Sequence, residues 1–564
     1  MVILQTNSIP KLIVLENYKK ILSKVLYLKN KGEHFGIEKS KVLLKIYDEG
    51  QKYFGSLNTY EDKENTNNFN FFLYIKSYIP QFNDIGKNKI SENLAYLYEN
   101  KFYVEFKIYV DEILGFDSLE SNYQKKYVDV LDYLELSEDS INALNFLITQ
   151  FPNEPYFLYL ISRTYYKVDQ FEKAYNFIKL YLRKQLSTKA LHLAGQTCRK
   201  LFYFKDASKY YELIQQKKPD DYAALTNLGA LYEIRGMFQE SIALDCQIIK
   251  NSDDDGFINN AKWNLSLLLI KIGRLKIGYR YYEYRKKLPY WNRFFKPNFL
   301  AEIPKFTNLK SKKILVTYEQ GLGDTIQFMR YVHFLSSLVK AIDLLIQPVL
   351  IPIFNKSYFK NVNFIEKVAK EDKYDFWVSL LSIPYRLGIY NYPQLEKLAF
   401  NSKMQTNTKN ETPNIGLCWR GSKSHTSDSF RSINIQDFED LFKLNANFCI
   451  LQIDLSEKES AFLNSFNKKI DTSLNKTNSF LKTAESINKL DVVISVDTSI
   501  LHLSASLFID TFGLLAKKSD YRWGLSDTPN SLYKTIKLIR QKEHFKWDDE
   551  IKRVKKEIEK KFNL

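Results

Sequence analysis

Small residues recur at an interval near 34 through the middle of the chain, and this spacing limits the possible folds more than any other feature. Gly195 and Gly229 lie 34 apart; three positions after each stands Cys198 or Tyr232, and twelve after each a small residue, Ala207 or Ser241. One unit earlier Ser162, Tyr165 and Ala174 keep the same offsets. One unit later, after the acidic insertion Asp253 to Asp255, Ser266, Leu269, Gly273 and Gly278 continue the pattern. A unit of this length cannot bury its apolar face alone, so neighbours must stack. Small residues let paired helices approach closely, and larger apolar ones fill the groove between hairpins. The period therefore predicts a solenoid of helix pairs whose concave face suits a protein partner, or else a spacer that positions the next domain.

After Arg285 the pattern changes. Short apolar strands now alternate with helices, which predicts parallel sheets built from βαβ units. Ile314 to Thr317 reads as a strand, Thr325 to Val339 as a helix with Phe328, Val332, Leu335 and Val339 inward, and Ile342 to Ile346 and Phe376 to Val378 as further strands. The polar run Asn401 to Pro413 reads as a linker. A second series comes next, with strands at Ile415 to Trp419, Phe448 to Gln452, Asp491 to Val496 and Ile509 to Leu515. Two α/β lobes joined by a linker imply a cleft. The expected organisation is a helical N-terminal region of degenerate repeats over 1–120, with a polar loop at 62–70; helical repeats over 121–290; a first lobe over 291–400; the linker over 401–413; a second lobe over 414–545; and a C-terminal helix over 546–564.

The chain has 564 residues and a formal charge of +17, but lysines alternate with Asp and Glu nearly everywhere, as in KRVKKEIEKK. Such a pattern describes a solvated helix face rather than a nucleic-acid footprint, and predicts no specific nucleic-acid partner. Cys198, Cys246, Cys418 and Cys449 form no CxxC pair, so neither a zinc site nor a disulfide framework is indicated. The N-terminus lacks a signal-peptide pattern, and the longest apolar stretch, Ala341 to Phe354, contains Asp343, Gln347 and two prolines. These features predict a cytoplasmic protein without a transmembrane segment.

Two turns carry the candidate chemistry. The first, EQGLGD, comes after a strand and opens a helix; it lacks the third glycine of a dinucleotide fingerprint and the Gly-Lys-Ser/Thr of a phosphate loop. Asp324 there either caps the helix or acts as a general base aimed into the cleft. The second, SVDTSILH, places Asp497, Thr498, Ser499 and His502 near one helix start, where hydroxyls and free N–H groups suit a diphosphate. His502 either donates to that anion or packs. Arg431 suits phosphate oxygens, beside the surface run Lys423, Ser424 and His425. Tyr521 and Trp523 in SDYRWG suit either a stacked base or a packed core.

EQGLGDTIQFMRY, GLCWRG followed by FRSI, and DVVISVDTSILHLSASL, in that order after NLSLLLIKIGRLKIGYRYYEYR, resemble bacterial tetratricopeptide-repeat glycosyltransferases. The C-terminal half is similar to glycosyltransferase family 9, which includes the ADP-heptose heptosyltransferases. The resemblance runs from about Pro155 to Gln541 and departs at Phe508-Ile509-Asp510, where relatives often carry Gly-Lys-Pro. It implies a tetratricopeptide-like solenoid followed by a GT-B pair of Rossmann-like lobes, with the acceptor on the first and a nucleotide-sugar on the second. It implies Asp324 as catalytic base; Gly321, Gly323 and Gln327 on the acceptor side; and Trp419, Arg420, Arg431, Asp497, Thr498, Ser499 and His502 on the donor side. The implied reaction is inverting transfer to a protein or cell-surface glycan acceptor that the repeats recruit, with no metal or other cofactor. It also implies a C-terminal helix that returns across the cleft, and peripheral association with the inner membrane is compatible with such an enzyme. The alternative is a non-catalytic interaction scaffold whose GT-B half is degenerate.

Overall fold

The computed structural model describes residues 94–564, apart from scattered positions between 96 and 109 and residues 295–299, 306, 370–372, 402–411, 423–427, 467–469, 478 and 526–531. Most of the expected N-terminal region, its loop at 62–70, most of the linker, and Lys423, Ser424 and His425 lie outside the described residues. The chain divides into two compact units, Met1–Ile214 and Gln215–Leu564.

In the first unit, α1 (Ser121–Tyr133) pairs with α2 (Ser137–Gln150) and α3 (Pro155–Lys167) with α4 (Phe171–Lys184), while α5 (Thr188–Lys200) takes Tyr211 of α6 (Phe204–Lys217) against Gly195 and His192. Leu131, Leu144, Leu147, Phe157 and Ile161 fill the core between hairpins. The small residues spaced by twelve meet inside each pair: Ser162 Oγ donates to the Ala174 carbonyl at 2.7 Å. A Cβ on Gly195 would lie 2.7 Å from the Tyr211 ring, so only glycine admits that tyrosine.

The second unit opens with two more hairpins, α7 (Tyr222–Ile234) with α8 (Phe238–Asn251) and α9 (Asp255–Lys271) with α10 (Leu275–Tyr282). Here Ser241 Oγ donates to the Gly229 carbonyl at 2.9 Å, the same twelve-residue relation. Asp221 and Asp254 cap α7 and α9 by accepting from the free N–H groups of their first turns. The helical repeats are thus stacked antiparallel helix hairpins with the small residues at the close contacts.

Two parallel sheets come after the hairpins. The first comprises β1 (Lys313–Thr317), β2 (Ala341–Leu345), β3 (Val362–Ile365) and β4 (Phe376–Ser379), in the order β3-β2-β1-β4, with α11 (Leu322–Ser336) after β1. The second comprises β5 (Asn414–Cys418), β6 (Asn447–Ile450), β7 (Ile470–Asp471), β8 (Val492–Val496), β9 (Thr511–Leu515) and β10 (Ile536–Arg540), in the order β10-β9-β8-β5-β6-β7. Of its helices, α12 (Ser499–Ser506) comes after β8 and α13 (Asp548–Phe562) ends the chain. All pairings are parallel, with Ile314 beside both Ile342 and Phe376 and Leu417 beside both Ile450 and Ile494. Strand order reverses around β1 in the first sheet and between β5 and β8 in the second, where the crevice beyond the carboxyl ends receives ligands in open α/β sheets.

One apolar core runs from Ile270, Tyr279 and Tyr282 of the last hairpin through the first sheet and α11 to Ile500 and Leu503 of α12. A second core on the other face of the larger sheet takes Ile551, Val554 and Ile558 of α13. The C-terminal helix therefore packs on its own sheet, where a return across the cleft was expected, because its apolar stripe is satisfied there.

Candidate functional site

The turn after β1 is held in an unusual shape. Gln320 has φ of 63°, a left-handed conformation that costs a non-glycine residue on the order of 1 kcal/mol and persists only when its surroundings fix it. Those surroundings are present: Gln320 Nε2 donates to Tyr282 Oη at 3.1 Å, and its carbonyl accepts from Gln347 Nε2 at 3.3 Å. The Gly321 N–H then donates to Asp324 Oδ2 at 2.9 Å, closing the first turn of α11. Asp324 thus caps α11.

At Gly323 the start of α11 meets the start of α12. A Cβ there would lie 2.8 Å from His502 Cδ2 and 3.5 Å from the Ser499 Cα, so the missing side chain sets how closely the two helices converge. On the second side, Thr498 makes no capping bond to α12; its hydroxyl turns inward, 3.1 Å from Ser495 Oγ and 3.8 Å from Cys418 Sγ. Arg431 reaches the same turn and donates through Nη1 to the Asp497 carbonyl at 2.8 Å. Its guanidinium lies against Gly421, where a Cβ would be 2.2 Å from Nη2.

Between these groups sits Arg522. It donates through Nη2 to Asp324 Oδ1, pairs through Nη1 with Asp520 Oδ1 at 3.0 Å, and lies 4.8 Å from the centre of the Tyr521 ring. The Asp497 charge also acts on this guanidinium. Burial pushes the Asp324 carboxyl above the usual carboxylate range; Arg522 opposes the rise and Asp520 adds to it. Burial, then Asp520, pushes Asp497 up to about 6 against Arg522, Trp523 and Arg431. A buried carboxylate with raised proton affinity is suited to accept a proton near neutral pH.

Several other candidate residues are packed inside. Trp419 is fully buried in the core of the second sheet, with Nε1 donating to Glu459 at 2.7 Å; it offers no ring face to a ligand. Arg420 folds back onto Glu459 and Asp454. Burial alone would raise the Glu459 carboxyl, but Arg420, the Ser456 backbone and Trp419 hold it down to about 2. His502 is 2% exposed, bonded through Nδ1 to Tyr533 Oη at 2.9 Å and stacked on Trp523 at 5.1 Å. Burial, with Arg522 and Arg330 beside it, holds the imidazole well below its ordinary pKa, so it is neutral at pH 7 and carries no charge for an anion. Gln327 is 2% exposed, and its Oε1 has no hydrogen-bond partner among the described residues. His502 and Trp523 thus pack on each other, and the Tyr521 ring lies against Tyr282.

The sequence reading missed Arg522, Asp520 and the contribution of the last hairpin. Tyr282 at the end of α10 donates to or accepts from Tyr521 Oη at 3.0 Å while accepting from Gln320. Lys271 Nζ, at the end of α9, donates to the Ser519 carbonyl at 2.8 Å and pairs with Glu233 at 3.1 Å. Arg285, fully buried between Tyr282 and Trp291, binds the equally buried Glu319 that opens the first turn. Both ends of the candidate site thus rest on the repeats. No local pattern marks either arginine, because the partner of Arg522 lies 198 residues away in the chain and that of Arg285 lies 34 away.

Among the described residues, no group of three or more His, Cys, Asp or Glu side chains is placed to hold a metal ion, and no helix is long and apolar enough to cross a membrane. No protein-family model matches the sequence, and no curated protein matches it. Solved structures similar to part of the chain include YrrB, a TPR protein with an unusual peptide-binding site. It is 14% identical, covers 30% of this chain and 86% of its own, and gives a TM-score of 0.28. A MamA structure gives 16% identity, 29% and 90% coverage and a TM-score of 0.28. MamA from Desulfovibrio magneticus RS-1 gives 15%, 29% and 91%, and 0.27.

Proposed function

We propose that the chain is an inverting glycosyltransferase of GT-B architecture, similar to family 9, that transfers a sugar from a nucleotide-sugar to a protein or cell-surface glycan. The observation that carries this reading is the convergence of Asp324 at the start of α11 with the uncapped start of α12, through the close approach at Gly323. In the proposed reaction the acceptor hydroxyl attacks the anomeric carbon from the face opposite the leaving group, and its proton passes to Asp324. The bond from that carbon to the phosphate oxygen breaks, and its electron pair leaves on the nucleoside diphosphate. The N–H groups of α12 and the Arg431 guanidinium would stabilise that charge, the kind of preorganised stabilisation that supplies much of a transfer enzyme's rate. The repeats would recruit the acceptor or a partner, and their last hairpin would brace the site through Tyr282 and Lys271.

The alternative, an interaction scaffold with a degenerate α/β half, draws on the occupation of both Asp324 oxygens. Incubation with a panel of nucleotide-sugars separates the two. Release of one nucleoside diphosphate, lost at least about a hundredfold in Asp324→Asn as expected for removal of a general base, supports transfer. An unchanged rate in that variant removes Asp324 from the mechanism, and no release with any donor favours the scaffold.

A further inference from the structure

We propose that Arg522 is a partner-exchanging anion receptor: it holds Asp324 before donor binds and passes to the leaving diphosphate once donor is present, freeing Asp324 to take the acceptor proton. This inference rests on the reading of the cleft as a nucleotide-sugar site and adds to it a residue and an order of events.

Geometry carries it in three ways. Arg522 bridges the two sheets' ligand-facing turns, since its own turn comes after β9 while Asp324 comes after β1. Its guanidinium is shared between two carboxylates, Asp324 on Nη2 and Asp520 on Nη1, with the Asp497 charge acting on it as well. Its Nε is buried with no hydrogen-bond partner among the described residues, so one donor remains unspent. A buried, unpaired donor of a charged group costs free energy that a bound oxyanion would recover.

The exchange is chemically balanced. A diphosphate offers several charged oxygens in the bidentate geometry that a guanidinium favours, against the single Asp324 oxygen it would replace. Asp324 keeps its second oxygen on the Gly321 N–H, so it stays in place with one oxygen open to the acceptor hydroxyl. During transfer the acceptor O–H proton moves to that oxygen and the phosphate oxygen takes the bonding pair from the anomeric carbon. Arg522 remains protonated throughout. The base is thus exposed only when leaving-group stabilisation is already present, which disfavours wasteful hydrolysis of donor.

The test is isothermal titration of the full chain with inorganic pyrophosphate, alongside the nucleoside diphosphates ADP, UDP, GDP and CDP. Asp324→Asn retains an oxygen for the Gly321 cap but removes the charge that holds Arg522. Because a binding-competent state that is only partly populated weakens apparent affinity in proportion, the variant is expected to bind pyrophosphate about five- to tenfold tighter than the parent. Arg522→Gln should bind at least about tenfold weaker, and Arg522→Lys should fall between, keeping the charge without the fork. Thermal unfolding of each variant identifies any that has lost its fold, and Arg522→Lys then carries the comparison. Unchanged or weaker binding in Asp324→Asn, parental binding in Arg522→Gln, or no pyrophosphate binding by any form overturns the exchange. Tightened pyrophosphate binding with no response to any nucleoside diphosphate would uphold the exchange and sink the nucleotide-sugar reading. A nucleotide that binds parent and Asp324→Asn alike would do the reverse.

Discussion

At the scale of single residues, the site is built from groups that the fold keeps in costly states. Asp497 is the clearest. Its folded pKa, pushed up to about 6, stands above the ordinary carboxylate value, so its contribution to stability is complete below about pH 4 and is lost as pH rises through 6. Asp497→Asn should therefore raise the unfolding temperature by a few degrees at pH 7.5, corresponding to about 1–2 kcal/mol, and change it little near pH 4. Scanning calorimetry across that range would show the divergence; parallel curves would contradict it. The glycines make a second prediction. In Gly421→Ala the new methyl would occupy the space of the Arg431 guanidinium, so Arg431 must leave the Asp497 carbonyl. Diphosphate binding should then fall about tenfold with little loss of stability, since the contact given up is partly exposed. What the sequence disclosed at this scale was residue type and position, Asp324 and the Asp497 to Ser499 turn above all. It could not disclose Arg522, because its partner lies 198 residues earlier and only the apposition of two turns brings them together.

At the scale of elements, the central strands were readable, while of the four edge strands only β4 was. β1, β2, β5, β6, β8 and β9 are mostly apolar, as parallel strands covered on both sides tend to be, with Asp343 inside β2 and Ser495 inside β8 as the polar exceptions. β3, β7 and β10 went unrecognised; all three are edges, and each exposes a residue, Asn363, Asp471 or Lys537, that interrupts the run. The join between the last hairpin and the first sheet was likewise hidden. There Arg285 and Glu319 form a fully buried pair, with Arg285 Nη2 also donating to Ser382 at 2.8 Å. Removing one partner leaves an uncompensated buried charge, so Arg285→Met or Glu319→Leu alone should cost about 3–5 kcal/mol, whereas the double substitution should recover most of that loss. Denaturant titration of the three variants measures it; additive losses would show that the pair does not join the hairpin to the sheet.

At the scale of the whole molecule, the 34-residue period and the later change to alternating strands and helices disclosed the plan: helix hairpins, then parallel α/β structure. The period did not disclose that the last hairpin belongs to the core of the first sheet. Tyr279 and Tyr282 are buried in the same cluster as β1 and α11, and Lys271 holds the turn that carries Arg522. A chain beginning at residue 301 should consequently lose solubility or unfold at least about 10 °C below one spanning 215–564, since it bares a large apolar face; equal unfolding temperatures would show the hairpin to be a separable spacer. The most direct test of a nucleotide-sugar site is calorimetric titration of the full chain with ADP, UDP, GDP, CDP and CMP. One nucleoside diphosphate should bind saturably and one-to-one, with affinity reduced by Arg431→Ala; the absence of binding by all five at several millimolar would contradict the central claim.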